Sequence, residues 1–203
     1  MSSTDVRQVI ADLAAAVAPL DEEEAQSRKT VLEWIASGAP LFRTAPPDVP
    51  PMHLAVYTAL LDGAQESMLL GDHIKAGLWL PPGGHVDPGE DPRHTVVREG
   101  DEELGVDIVF HTGTGDRPLL LTLTATRGSG SHLDVTLWFV AQGDRTAALA
   151  VDSGEFRSVD WWNLAATDWA DGRFDPHMAR FVRKLGATVD AGTSQAAAVG
   201  GPA

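Results

Sequence analysis

The sequence predicts an α/β protein: a mixed β-sheet sandwiched between helices, preceded by an N-terminal helical hairpin. Three observations carry this. Two stretches of helical periodicity open the chain ahead of a proline-rich linker. Apolar runs of strand length then flank one strongly helical stretch, and a last amphipathic helix follows them. With 203 residues, 43% of them hydrophobic, the chain can bury one good core and still carry an extension.

Within residues 4–18, Val6, Val9, Ile10, Leu13 and Val17 form the stripe of an amphipathic helix, which Pro19 ends. Asp21 with Glu24 reads as a capping box for a second helix, closed by Gly38. Residues 1–45 are thus a helical extension that packs on the core or on a partner subunit, which leaves a homodimer open. Prolines 46, 47, 50 and 51 make 44–51 a linker. His53–Leu61 and Ser67–Leu70 read as a hairpin around Asp62-Gly63. Later strands are expected at Val106–His111, Leu119–Ala125, Leu133–Ala141 and Phe156–Trp162, with a turn at Gly128-Ser129-Gly130-Ser131. A final helix runs from about Pro176 to Leu185, ending the main domain at 46–186. The Ala-, Gly- and Ser-rich stretch 187–203 is expected to be disordered.

The chain is organised around Gly83 to Val106. Pro81, Pro82, Gly83 and Gly84 cannot begin a regular element, so they form a turn. Asp91 offers a helix N-cap, Pro92 suits the first helical position, and Gly105 is a fitting C-cap. On that helix Glu99, Glu102 and Glu103 lie three and four apart, so all three carboxylates share one side. Like charges at that spacing repel unless a cation sits among them. Oxygen-only ligands suit a hard ion, Mg²⁺ or Mn²⁺. The bland alternative is a solvated acidic face.

The spacing Gly84, Glu90, Arg98-Glu99, Glu102-Glu103, Leu104-Gly105-Val106 resembles the Nudix box. Gly100 departs from it, standing where that family usually has an aliphatic residue or alanine. The strand Asp134–Phe139 and the segment Phe156–Trp162 resemble MutT-like members, so the resemblance covers about residues 52–186. It implies a Nudix α/β/α sandwich and an enzyme that hydrolyses a nucleoside diphosphate linked to another group, a (d)NTP first among them. The same resemblance implies Glu99, Glu102, Glu103 and the Gly83 carbonyl as metal ligands. It pairs Arg98 with Glu90 to fix the turn against the helix. The general base is Glu99 or, as in other members, a glutamate on a later loop, here Glu155; the bland reading of Glu155 is an ordinary loop residue.

Four further residues are candidates for substrate contact, each with a structural alternative. His85 is placed to reach a phosphate or to pack beside the turn. Lys75 binds phosphate or is solvated. Trp161 or Trp162 stacks on a base while the other joins the core. Asp175 reads a base edge or caps the last helix. Rival substrates are ADP-ribose, nucleotide sugars and dinucleoside polyphosphates, although Leu121–Thr124 holds neither the proline nor the tyrosine those subfamilies tend to carry. A nucleotide sensor without hydrolysis is the rival outside enzymes, but sensors usually lose box carboxylates.

Composition narrows the field further. With no cysteine, thiol catalysis and disulfides are excluded. A net charge of −14 disfavours nucleic acid and anionic membranes as partners, though not a small phosphate ligand carried with a divalent cation. No apolar run approaches membrane-spanning length and no leader pattern opens the chain, so a cytoplasmic location is expected.

Overall fold

The computed structural model describes residues 3–44, 50–64, 66–125 and 132–199. Helices α1 (Ser3–Ala16) and α2 (Glu22–Ala36) precede strands β1 (Met52–Leu61), β2 (Ser67–His73) and β3 (Leu78–Leu80). Helix α3 (Pro92–Leu104) follows, then β4 (Leu120–Ala125), β5 (Leu133–Gln142), β6 (Phe156–Asn163) and α4 (Met178–Val199). The expected caps are in place. Asp21 accepts the Glu24 N–H, while the Glu24 carboxylate returns to the Leu20 N–H. Asp91 accepts the Arg93 N–H at the start of α3, and Gly105, at φ 66°, closes it in the left-handed region.

The six strands form one mixed sheet in the order β3-β2-β1-β5-β4, with β6 along β2. Strands β1 and β5 run parallel from Met52↔Leu133 to Leu61↔Gln142. The hairpin partner β2 meets β1 only at Leu60↔Leu69 and Leu61↔Met68. Over the earlier half of β1 the glycine turn takes that place. Thr58 N–H donates to Pro82 O (2.8 Å), Val56 N–H to Gly84 O (2.9 Å) and Val86 N–H to Leu54 O (3.1 Å). The strip 82–86 is therefore bonded to the sheet as a strand would be, which fixes its position.

Because strand side chains alternate, the sheet buries two different faces. On one, Leu54, Val56, Leu121, Val135, Leu137 and Phe139 pack against α1, α2 and α3 through Val6, Ile10, Val31, Ile35 and Val96. On the other, Ala59, Leu61, Trp138 and Val140 pack against Met178, Phe181 and Leu185 of α4. The N-terminal hairpin is thus one wall of the core. Its second helix also reaches α4: Arg180 pairs with Asp21 and Glu23, and Lys184 pairs with Glu24 where both side chains are buried.

Two expectations change. Val106–His111 is not a strand; only Phe110 bridges the sheet, at Ala141. β4 occupies β5 from Leu133 to Trp138, so only the last residues of that edge are left, where His111 N–H donates to Val140 O (2.9 Å) and Gln142 N–H to Val109 O (2.8 Å). Helix α4 continues past Leu185 to Val199, through the stretch expected to be disordered. Alanine has the highest helix propensity, and no proline interrupts before Pro202. The linker prolines 46 and 47 and the Gly128–Ser131 turn lie outside the described residues.

Candidate active site

The carbonyls of Pro82 and Gly84 both accept from β1, so the peptide groups of Gly83 between them face the other way. On that side the Gly83 N–H donates to Glu103 Oε2 at 2.8 Å. The recorded geometry thus brings Gly83 to the cluster through its N–H, where the sequence reading invoked its carbonyl. Neither glycine tolerates a side chain. A Cβ on Gly83, at φ 151°, would stand 2.1 Å from Val56 O, and one on Gly84 would stand 2.3 Å from Glu99 Oε1. Two helix carboxylates therefore rest directly on a turn of bare backbone.

Glu103 is buried, 4% exposed, and Glu99 nearly so, whereas the Glu102 side chain is 57% exposed. Burial, with the neighbouring Glu99 charge next, pushes the Glu103 carboxyl up to about 8. Burial likewise raises Glu99, against the pull of Arg98. Arg98 is the cation of the cluster. Its guanidinium lies 3.2 Å from Glu90, 2.8 Å from Glu99 and 3.0 Å from Glu102, and it also donates to His85 O. Burial would raise Glu90, but hydrogen bonds from Arg98, Thr95 and the Asp87 N–H outweigh it and hold that carboxyl low. Glu90 is therefore a fixed anion that anchors Arg98 and the turn. The Thr95 hydroxyl, 2.7 Å from Glu90, is a contributor that no spacing rule marks.

The remaining candidates are spread around this centre. Glu155, at the start of β6, binds Lys75 (3.0 Å) and His73 (3.4 Å), and its charge helps to raise Glu103. Lys75 is thus tied to the second base candidate. His85 turns away from the glutamates, because its neighbour Val86 enters the α3 side of the core. Its ring lies with His53, His132 and Asp134 on the opposite side of the strip. Trp161 lines a groove of about 410 Å³ with Leu60, Leu69, Val106 and Leu149, which none of the three glutamates enters. Trp162 faces the other way, into a cluster with Trp79 and Phe174. Asp175 is buried and accepts the His177 N–H at 2.7 Å, ahead of α4. This is its capping alternative. The structure gathers Gly83, Glu90, Arg98, Glu99, Glu102 and Glu103, and leaves Trp161 apart from them.

A family model for the NUDIX domain matches residues 51–185. The chain belongs to the Nudix hydrolase family. Among curated Nudix relatives, an uncharacterized Nudix hydrolase of Rhodococcus erythropolis is 36% identical over 89 residues, 44% of this chain and 39% of that one. An asymmetrical bis(5'-nucleosyl)-tetraphosphatase of Rattus norvegicus is 55% identical over 29 residues, 14% of this chain and 20% of that one. The matched stretches therefore span well under half of these relatives' length. A solved Ap4A hydrolase binary complex from Caenorhabditis elegans shares the fold at a TM-score of 0.54 and 21% identity. That superposition covers 68% of this chain and 98% of the other. Nudix hydrolases generally use divalent metal. Among the described residues no helix is long and apolar enough to cross a membrane.

Proposed function

We propose that this protein is a Mg²⁺-dependent pyrophosphohydrolase that cleaves a nucleoside diphosphate linked to a further group, with a (d)NTP as the leading substrate. One observation supports this above the others: Glu99 and Glu103 are buried together against the Gly83–Gly84 turn. Burial raises the proton affinity of both, the Glu99 charge raises Glu103 further, and a divalent cation relieves the cost. The donor set is all oxygen, which fits Mg²⁺ or Mn²⁺.

In this reading Glu99, Glu102 and Glu103 hold the metal with the Gly83 backbone. The bound ion supplies charge neutralisation for the diphosphate and a water of lowered pKa. The chain supplies the rest. Glu90 and Arg98 lock the turn against α3, which fixes where the helix carboxylates meet it. Glu99, already of raised proton affinity, takes the proton of the attacking water, with Glu155 as the alternative base. Lys75, beside Glu155, is the basic candidate for phosphate oxygens, whereas His85 lies on the other side of the strip, Trp161 lines a separate groove and Asp175 caps α4. A second reading, a dinucleoside polyphosphate as substrate, is favoured by the 29-residue match to the rat tetraphosphatase. A cytoplasmic location and a small nucleotide or diphosphate substrate, with neither nucleic acid nor membrane as partner and a homodimer left open, belong to the same proposal.

The test is phosphate and pyrophosphate release from a panel of (d)NTPs, dinucleoside polyphosphates and ADP-ribose, with and without Mg²⁺. Metal-dependent release from at least one class is expected. Inactivity throughout, with thermal stabilisation by a nucleotide, would replace the enzyme with a sensor.

A further inference from the structure

A second cluster of ligating groups lies on the far side of the 82–86 strip. The parallel register sets His53 of β1 directly beside Asp134 of β5. His132 lies two residues before Asp134 and so shares its face. The bridge Ala55↔His85 delivers the fourth member from the strip. All three imidazole Nε2 atoms converge on one oxygen, Asp134 Oδ1: His132 at 3.1 Å, His53 at 3.2 Å and His85 at 3.6 Å. The four atoms lie within 4.8 Å of one another.

Hydrogen bonding alone does not account for this arrangement. Nε2 of His53, Nε2 of His85 and Oδ1 of Asp134 are all buried, yet none makes an aligned hydrogen bond. A buried polar atom left so costs about 1–3 kcal/mol. The Nδ1–H of His53 donates to Pro50 O at 2.9 Å, so in the neutral ring a lone pair at Nε2 faces the carboxylate oxygen. Lone pair against lone pair is unfavourable, and a cation between them removes the conflict. The His53 ring also lies 4.6 Å from that of His132 and 4.7 Å from that of His85, centroid to centroid, which disfavours relieving it with several imidazolium charges.

We infer that His53, His85, His132 and Asp134 form a binding site for a transition-metal ion of the zinc class, separate from the glutamate cluster. Three nitrogens and one carboxylate oxygen suit Zn²⁺, and Co²⁺ as its substitute, over Mg²⁺. Ligands at tetrahedral Zn²⁺ stand about 3.4 Å apart, close to the separations around Asp134. The Pro50 carbonyl holds His53 in the ligating tautomer, the outer contact that metal-bound histidines use. His85 must adjust most, since Arg43 Nη1 is 3.4 Å from its Nδ1. Its side chain is also one third exposed, which gives an ion a way in. Bound there, the ion would tie β1, β5 and the strip together immediately behind Gly83 and Gly84.

Tag-free full-length protein, stripped with chelator and titrated with Co²⁺, tests this. The expected result is a strong visible spectrum of a four-coordinate nitrogen–oxygen site that Zn²⁺ bleaches and excess Mg²⁺ does not. Asp134→Asn and His132→Gln, with circular dichroism to check folding, should each weaken that binding by about tenfold or more. Glu102→Gln combined with Glu103→Gln should leave the spectrum in place. Absence of the spectrum in the wild type, or its loss in the glutamate variant with retention in both others, would overturn the inference. Mg²⁺-dependent hydrolysis is a separate readout, so either site can fail alone.

Discussion

The strip from Pro82 to Val86 has a ligating cluster on each side, and the two are built in opposite ways. On the α3 side the donors are oxygens from a single helix, one of them largely exposed, with an arginine as counter-charge. On the other side they are three nitrogens and an oxygen from β1, the strip and the residues of β5 and just before it, with no shared helix. The first arrangement is held by helix geometry. The second is held by sheet register. What they share is the backbone of the strip, bonded to β1 along one edge.

That shared backbone gives the sharpest way to break the comparison. Gly83→Ala forces a side chain against Val56 O at a backbone angle closed to alanine. It should cost about 4 kcal/mol or more and impair both clusters together, read as a lowered melting temperature with loss of hydrolysis and of the cobalt spectrum. An alanine variant that kept one property intact would show that the strip is not their common support.

Glu103→Gln should separate the clusters. It is expected to retain the fold and the cobalt spectrum while hydrolysis falls by roughly a hundredfold or more. Wild-type turnover in that variant would remove Glu103 from the site.

Proton linkage distinguishes the two sides at smaller amplitude. In the metal-free fold Glu103 titrates at about 8, against an ordinary value of 4.5, so the folded state binds its proton more tightly. That contribution is complete below about 4.5 and is lost as pH rises through 8. His53, whose burial lowers its pKa, acts in the other sense: its contribution is present above its ordinary 6.5 and declines as pH falls below it. Thermal melts in chelator from pH 5 to 8.5 should therefore show wild type losing ground to Glu103→Gln as pH rises. A constant offset between the two proteins would contradict the raised Glu103.

Gly100→Ala is the mildest test. Alanine would add about 1 kcal/mol of helix propensity, but its Cβ would meet Ile108 Cγ1 at 2.5 Å. The single change should therefore lower the melting temperature slightly, and adding Ile108→Ala should recover the propensity gain. A single variant as stable as wild type would show that Ile108 swings aside freely.

How far each cluster could be read in advance follows from its construction. The glutamates, their caps at Asp91 and Gly105, and the Arg98–Glu90 pairing are local, so spacing in one helix reveals them. His53, His85, His132 and Asp134 come together only through the parallel register of β1 with β5, which a single sequence does not disclose. The same limit explains Val106–His111, where apolar alternation is present but β4 leaves only the end of the β5 edge to pair with. Thr95 escaped notice because its partner Glu90 precedes the helix on a turn whose path no spacing rule gives.

The wall formed by α1 and α2 bears on how this protein can be handled. The segment that matches the family begins at residue 51, yet half of the buried residues on one core face lie upstream, Val6, Ile10, Leu13, Val31 and Ile35 among them. Trimming to the matched boundary would bare a broad patch of leucine, valine and phenylalanine and strand the Lys184 ammonium without Glu24. The catalytic unit and the folding unit have different limits here, and the leading forty residues belong to the second.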